Sequence, residues 1–366
     1  MNIEKIANSG ALKTRPYVAG KSKKEVMQEF NLSSVIKMAS NENPGGSSPL
    51  ARKALEKIAD QVHLYPDPVN RELRSKLAGR LSVSEDQITV GNGADGVIYN
   101  LGMAVIGQGD EIILPELTFA VYETIIRIMR GEPVFTRMDG LRIDLDHILD
   151  HIGNRTKAVF LCNPNNPTGD ALPPAEVEEF LNRVPEHILC IVDEAYIDFT
   201  PQEYRPDTFG IFRRGKRNLF IIRTFSKIYG LAGLRIGYGV GDSGLVNLIH
   251  RVKPPFDVSI AAEYCALQAL DDRDFYRETL QQIDKEKAYF YRELDSLGIS
   301  YIPTYTNFLL IDVGDDTVEI SKKLMKRGVI VRPMNGYGLP TSIRVTLGLH
   351  QENVAFFKAL REVLNR

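Results

Sequence analysis

The sequence predicts an α/β protein, with a large domain on a mostly parallel sheet and a smaller α+β domain after it. Three features predict this. From about residue 86 to 240, short β-like runs alternate with helical stretches, the rhythm of strands joined by crossover helices. Several of those runs are continuously apolar, as strands covered on both faces are. The 366 residues amount to about two domains at roughly 150 residues each, and the C-terminal part changes pattern to helix, strands, helix.

The elements follow in order. The first forty residues are polar, are broken by Pro16 and Gly20, and end at an Asn-rich turn, Asn41-Glu42-Asn43-Pro44-Gly45-Gly46. Leu50, Ala54, Ile58 and Val62 recur every fourth residue and predict one face of a helix. Strand candidates are 88–90, 111–114, 158–162, 188–192 and 219–222. Leu280, Ile283, Phe290, Leu294 and Leu297 line one side of a helix near 274–297, which Gly298 stops. Further strands are expected at 307–313, 328–331 and 342–347, and a closing helix carries Val354, Phe357, Leu360 and Leu364. The expected division is an N-terminal segment 1–40, a large domain 41–265 and a small domain 266–366.

Composition narrows the function. Hydrophobic residues make up 43% and charged residues 25%, near the globular averages. Lys+Arg 45 against Asp+Glu 47 leaves a net charge of −2, so the chain has no general field for nucleic acid or an acidic membrane. Any bound anion must be held by a local cluster. Cys162, Cys190 and Cys265 are odd in number and contain no C-x-x-C pair, a poor disulfide framework that suits a reducing cytoplasm. The start, MNIEKIANSGALKTRPY, lacks the apolar stretch of a secretory signal, and no run approaches the ~20 apolar residues of a bilayer span. The expectation is a cytoplasmic protein whose partners are small molecules.

In open α/β sheets ligands sit at the carboxyl ends of the strands, so the residues after each run are the candidates for chemistry. Gly91-Asn92-Gly93-Ala94-Asp95-Gly96 fits G-x-G-x-x-G. Leading into a helix it makes an anion cradle; taken alone, Asn92-Gly93 reads as a hairpin turn. The acidic residue that a dinucleotide fold places at the end of the next strand is missing, because Asp110 and Glu111 precede that strand and Pro115 ends it. Asn163-Pro164-Asn165-Asn166-Pro167-Thr168-Gly169 is a rigid loop, either a plain turn or one that aims an asparagine into the crevice.

Asp193 ends an apolar run as either a helix cap or a carboxylate for a protonated ring nitrogen. Lys227, in Thr224-Phe225-Ser226-Lys227, lies among apolar and small residues. Desolvation there lowers its pKa and exposes the neutral amine that carbonyl chemistry needs; an isolated lysine would be a surface residue. Alternation along 342–347 separates Ile343, Val345 and Leu347 from Arg344 and Thr346. Arg332 ends the preceding strand, and the two arginines are either surface charges or an anion clamp.

In this order the segments resemble the fold-type I pyridoxal-phosphate-dependent aminotransferases, and within them the histidinol-phosphate branch most closely. The resemblance runs from Arg15-Pro16-Tyr17 and Ser40-Asn41-Glu42-Asn43-Pro44, through Tyr65-Pro66-Asp67, to Ile343-Arg344-Val345-Thr346. NPNNPTG, DEAYIDF and TFSKIYGLAGLRIGYG are its most specific pieces. It implies a seven-stranded large sheet, pyridoxal 5'-phosphate as cofactor, a homodimer to which residues 1–40 contribute, and transamination of histidinol phosphate with 2-oxoglutarate in histidine biosynthesis.

It also implies roles. Lys227 would bond the cofactor aldehyde, and Asp193 would pair with the pyridine nitrogen. Tyr196 and Asn166 would hydrogen-bond the ring's phenolic oxygen, and Phe119 would stack on the ring. Ala94 and Asp95 through their amides, Thr224, Ser226 and Arg235 would hold the phosphate, with Tyr65 reaching it from the partner subunit. Tyr17, Asn41, Arg332 and Arg344 would meet the substrate. Two positions depart from the family's usual pattern, Gly96 where an acidic residue is common and Gly46-Ser47-Ser48-Pro49 where Gly-Pro-Ser-Pro is usual.

Rival readings on the same scaffold are an aromatic amino-acid aminotransferase and a threonine-phosphate decarboxylase. A non-catalytic cofactor-binding regulator is a third, but the N-terminal segment has no basic stripe for a DNA-binding module. His147 and His151 stand four apart, without the glutamate of H-E-x-x-H, and read as solvated helix residues rather than metal ligands.

Overall fold

The computed structural model describes residues 1–16 and 20–365. Its centre is a seven-stranded sheet of β1 (Ile88–Asn92), β2 (Glu111–Pro115), β3 (Glu132–Thr136), β4 (Thr156–Cys162), β5 (Leu189–Asp193), β6 (Leu219–Thr224) and β7 (Ile236–Val240), in the order β1-β7-β6-β5-β4-β2-β3. All neighbours from β6 to β3 are parallel; β7 alone runs antiparallel to both its neighbours. The expected mostly parallel sheet is thus present, with β3 and β7 added to the strands the apolar runs marked.

The continuous apolar runs are explained by cover on both faces. Along β2 the side chains alternate. Ile113 joins Val159, Leu161, Val192 and Ile221 in one core, closed by Phe180 and Phe212. Ile112 and Leu114 join Phe160, Ile191, Phe220 and Ile222 in another, closed by Val97, Tyr122 and Ile125. Register then aligns the strand ends: Cys162 lies beside Asp193, Asp193 beside Ile222, and Thr224 beside Gly237. Segments that follow β4, β5 and β6 are delivered to one edge of the sheet.

The C-terminal part has its own four-stranded antiparallel sheet. Its strands are β8 (Ser300–Tyr301), β9 (Phe308–Asp312), β10 (Arg332–Pro333) and β11 (Ser342–Thr346), in the order β8-β9-β11-β10. The helices Arg273–Leu297 and His350–Leu364 lie against it, burying Phe290, Phe356 and Phe357 with Phe308, Ile343 and Val345. Gly298 ends the long helix at φ +62, a conformation that costs glycine little. The strand expected at 328–331 shrinks to Val329–Ile330, which pairs in parallel with Ile36–Lys37.

Other expectations shift by a turn. The helix Pro49–Ile58 buries Ala51, Ala54 and Ile58, whereas Val62 lies beyond it and is exposed. Val354 is also exposed; the closing helix buries Asn353, Phe356, Phe357, Leu360 and Val363 instead. A boundary at 265/266 would cut the helix Ile260–Ala269, which packs on Pro49–Ile58. The chain turns away at 270–272, where Asp272 caps the long helix and accepts from Ser48 Oγ at 2.6 Å. In the N-terminal segment, Asn8 donates to the Ile128 carbonyl at 3.2 Å, while Val26 and Val35 pack on Ile330.

Phe290 is fully buried between Phe356 and Phe357, with ring centroids at 5.7 and 4.8 Å. Phe290→Ala is expected to cost about 3–5 kcal/mol, read as a lower urea midpoint at unchanged slope.

Candidate active site

The strand ends converge on Lys227. It follows β6 in a tight turn whose carbonyls, those of Lys227 and Ile228, accept from Asn43 Nδ2 at 3.2 and 3.0 Å. Its side chain is half-buried, and the amine is enclosed enough that its pKa falls to about 8. Burial is the main cause, and the Arg344 guanidinium adds to it. A useful fraction of neutral amine is therefore present near neutrality. Nζ donates to the Asn41 carbonyl at 3.3 Å and lies 5.3 Å from the centre of the Tyr196 ring.

Asp193 ends β5 and is 3% exposed. Burial pushes its carboxyl up to about 6, against two donors that pull it down: Tyr122 OH on Oδ2 at 2.7 Å and the Ala195 N–H on Oδ1 at 2.9 Å. Tyr122 is fully buried, stacked on Phe160 at 4.4 Å and edge-on to Phe119 at 5.6 Å. Next along the chain, Glu194 is a second buried carboxylate, held by Arg223 at 2.7 Å and by the Thr208 hydroxyl at 2.6 Å. Asp193 thus has no cation of its own in these contacts, in contrast to its neighbour.

The other side of the cleft is polar and fixed. Tyr196 and Asn166 are 5% and 6% exposed. Arg344 on β11 donates to Asn166 Oδ1 at 2.6 Å and to the Ala39 carbonyl at 3.1 Å, with its guanidinium 5.2 Å from the Phe308 ring centre. Arg332 is the cross-strand neighbour of Arg344, so the two expected arginines do share one sheet end.

A third group meets where β7 begins. Gly91–Gly96 passes from β1 straight into the helix Gly93–Val105 rather than through a hairpin. Arg235, in a left-handed conformation at φ +54, donates to Asp95 Oδ2 at 3.0 Å. Thr224 and Ser226 are buried beside it. A Cβ on Gly237 would come within 2.6 Å of the Ala94 nitrogen, so only glycine lets the helix start lie this close to β7. First-turn N–H groups of a helix have no intrahelical acceptor, and with Arg235 they form a cradle for an oxyanion.

The expected site residues are therefore largely gathered: Ala94, Asp95, Phe119, Asn166, Asp193, Tyr196, Thr224, Ser226, Lys227, Arg235, Asn41, Arg332 and Arg344. Two are not. Tyr17 lies outside the described residues, and Tyr65 is 81% exposed, stacked on Phe256 at 4.6 Å. Tyr122 and Asn307, which the sequence does not single out, also belong to the cluster, as does Thr346, which alternation puts on the face of Arg344 without giving it a role; the one hint for Tyr122 is a second aromatic three positions after Phe119. The three cysteines are free and buried. His147 and His151 pack ring on ring at 4.2 Å, and no group of three potential metal ligands occurs among the described residues. No helix among them is long and apolar enough to cross a membrane.

An amine of reduced basicity and a buried carboxylate, carried at the ends of adjacent parallel strands with an oxyanion cradle beside them, make the donor set that a phosphorylated pyridine aldehyde requires. On this sheet, it defines a fold-type I transferase. Comparison with known proteins agrees. The profile of the family described as aminotransferase class I and II matches residues 33–357. A histidinol-phosphate aminotransferase of Moorella thermoacetica is 40% identical over 353 residues, covering 96% of this chain and 92% of its own. Histidinol-phosphate aminotransferase 2 of Pasteurella multocida is 37% identical and aligns over the full length of both. The crystal structure of histidinol-phosphate aminotransferase from Sinorhizobium meliloti, in complex with pyridoxal-5'-phosphate, superposes with a TM-score of 0.88 at 27% identity over 97% of this chain and 96% of that one. The chain belongs to the class I and II aminotransferases.

Because burial lifts Asp193 above the ordinary carboxyl value, its contribution to stability is present in acid and is lost as the pH rises through about 6. Tyr122→Phe deletes the donor on Oδ2 and is expected to raise that value further. Infrared difference titration of the carboxyl in the cofactor-free protein measures it; an unchanged midpoint would remove Tyr122 from the account.

Proposed function

We propose that this chain transfers the amino group of histidinol phosphate to 2-oxoglutarate, with pyridoxal 5'-phosphate held in the cleft around Lys227. One observation carries the reading. The amine of Lys227, of lowered basicity, and the buried Asp193 carboxylate lie at the ends of adjacent parallel strands, with an oxyanion cradle beside them. The full-length relatives named for that substrate support it.

Pyridoxal phosphate, when bound, supplies an aldehyde that condenses with amines and an electron-poor ring that takes up the electron pair released at the substrate carbon. Lys227 Nζ would be the attachment point for the aldehyde, and its free, neutral amine would be the base positioned to accept a proton from the substrate carbon. Asp193, oriented by Tyr122, would hold the proton on the ring nitrogen. Arg235, the amides of Ala94 and Asp95, and the hydroxyls of Thr224 and Ser226 take the phosphate. Tyr196 and Asn166 would address the ring oxygen, and Phe119 would cover one ring face. Arg332 and Arg344 receive the phosphate ester of one substrate and the carboxylates of the other, since both oxyanions accept a guanidinium fork. Tyr17 is assigned to the same substrate end.

The assembly is a homodimer in this reading, and Tyr65 of the partner subunit completes the phosphate cradle. Supporting it, Val62, Leu64, Tyr65, Val252 and Phe256 leave apolar surface exposed on this chain, an uncommon feature unless another surface covers it. The three free, buried thiols suit a cytoplasmic setting.

Borohydride reduction of the cofactor-loaded protein is expected to label Lys227, located by peptide mapping. Lys227→Ala is expected to lower kcat by about 10²–10⁴-fold without loss of fold, and wild-type turnover in that variant would refute the mechanism. Comparing kcat/KM for histidinol phosphate, phenylalanine and tyrosine with 2-oxoglutarate tests the substrate. Preference for an aromatic amino acid would replace that part of the reading and leave the rest.

A further inference from the structure

Asn41 is 1% exposed and adopts a left-handed backbone at φ +54, a conformation that asparagine tolerates better than most residues. All four of its polar atoms are engaged by distant parts of the fold. Its N–H donates to Thr346 Oγ1 at 2.9 Å, and its carbonyl accepts from Lys227 Nζ at 3.3 Å and Asn307 Nδ2 at 3.2 Å. The Thr346 hydroxyl donates to Asn41 Oδ1 at 3.1 Å, and Asn41 Nδ2 donates to the Tyr196 oxygen at 3.0 Å.

The direction of the last bond follows from the others. Thr346 Oγ1 already accepts from the Asn41 N–H, so its own hydrogen is best spent on Oδ1. That fixes the amide with its NH2 towards Tyr196. A phenol oxygen that accepts a hydrogen bond turns its O–H elsewhere and becomes a stronger donor.

We propose that Asn41 is a positioning residue for Tyr196, which directs the phenol's hydrogen into the cleft and strengthens it as a donor. The inference rests on the reading above, in which the cofactor's ring oxygen is the acceptor. It replaces the substrate contact expected of Asn41, whose polar atoms are already committed to protein. The charged and titratable groups around the phenol are Lys227, Arg344, Asp193 and the Cys162 thiol; those around Lys227 are Arg344, Asp95, Glu42 and Arg235, of which Glu42 alone lies on the turn that carries Asn41 and is kept in every variant.

The test is the pH titration of the visible absorbance of the bound cofactor, in wild type, N41G and N41D. Glycine keeps the left-handed backbone at little cost and deletes only the amide. Aspartate keeps the shape but offers the phenol an acceptor in place of a donor. A ring oxygen whose negative charge is held less well keeps the neighbouring proton to higher pH. The midpoint is therefore expected to rise by roughly 0.3 to 1 pH unit in N41G, the scale of one neutral hydrogen bond, and by more in N41D. N307A, which removes a different bond to the same residue, should leave the midpoint in place. Unchanged midpoints in both Asn41 variants would overturn the proposal, as would an equal shift in N307A, which would mark mere loosening. A wild-type protein that binds no cofactor would instead defeat the underlying reading. Should N41G fail to fold, by circular dichroism, N41D is compared with and without Tyr196→Phe: a shift that vanishes without the phenol supports the proposal, and one that persists unchanged comes from the added charge and overturns it.

Discussion

Burying a carboxylate at the end of a central strand is expensive unless donors meet it, and the cleft is arranged around that expense twice over. Glu194 is neutralised within the protein by Arg223 and Thr208. Asp193, one residue earlier and on the opposite side of the backbone, has a phenol and one backbone amide only. That difference separates structure from chemistry: one carboxylate ties loops to strands, the other is left with capacity for a cationic ligand. The acid–base balance of Lys227 obeys the same logic, because enclosure and Arg344 both disfavour a second positive charge there.

Much of this was legible in the sequence. Lys227, Asp193 and Asn166 lie within a few residues of apolar runs, and parallel register then carries them to one edge; Arg235 comes to the same edge at the start of the antiparallel β7. The anion cradle was equally visible once the run before Gly91 was read as a strand. What escaped were Tyr122, which acts across 71 positions, and the distant pairings of Asn41, which meets Tyr196 across 155 positions and Thr346 across 305. Periodicity carries no record of such pairings. Helix ends slipped for a related reason, since Val62 and Val354 keep the apolar spacing but lie where no second layer covers them.

The two sheets meet through this same set of contacts. Thr346 on β11 and Asn307 just before β9 hold the Asn41 turn, and that turn holds Lys227 and Tyr196 beside β6 and β5. Arg344 reaches Asn166 beyond β4 in the same way. Groups from the smaller sheet therefore touch the polar side of the cleft, while the ends of the larger sheet supply the amine, the carboxylate and the cradle.

The reversed strand β7 has a consequence for what the cleft can accept. Its start, not its end, lies beside the ends of β1 and β6, so Lys227 and Arg235 are the two posts of one short return loop. The length of that loop acts as a gauge of how far the Arg235 guanidinium stands from the Lys227 amine. Insertions or deletions between the posts would rescale the gauge, whereas the outer loops of the sheet can drift in length with no such effect.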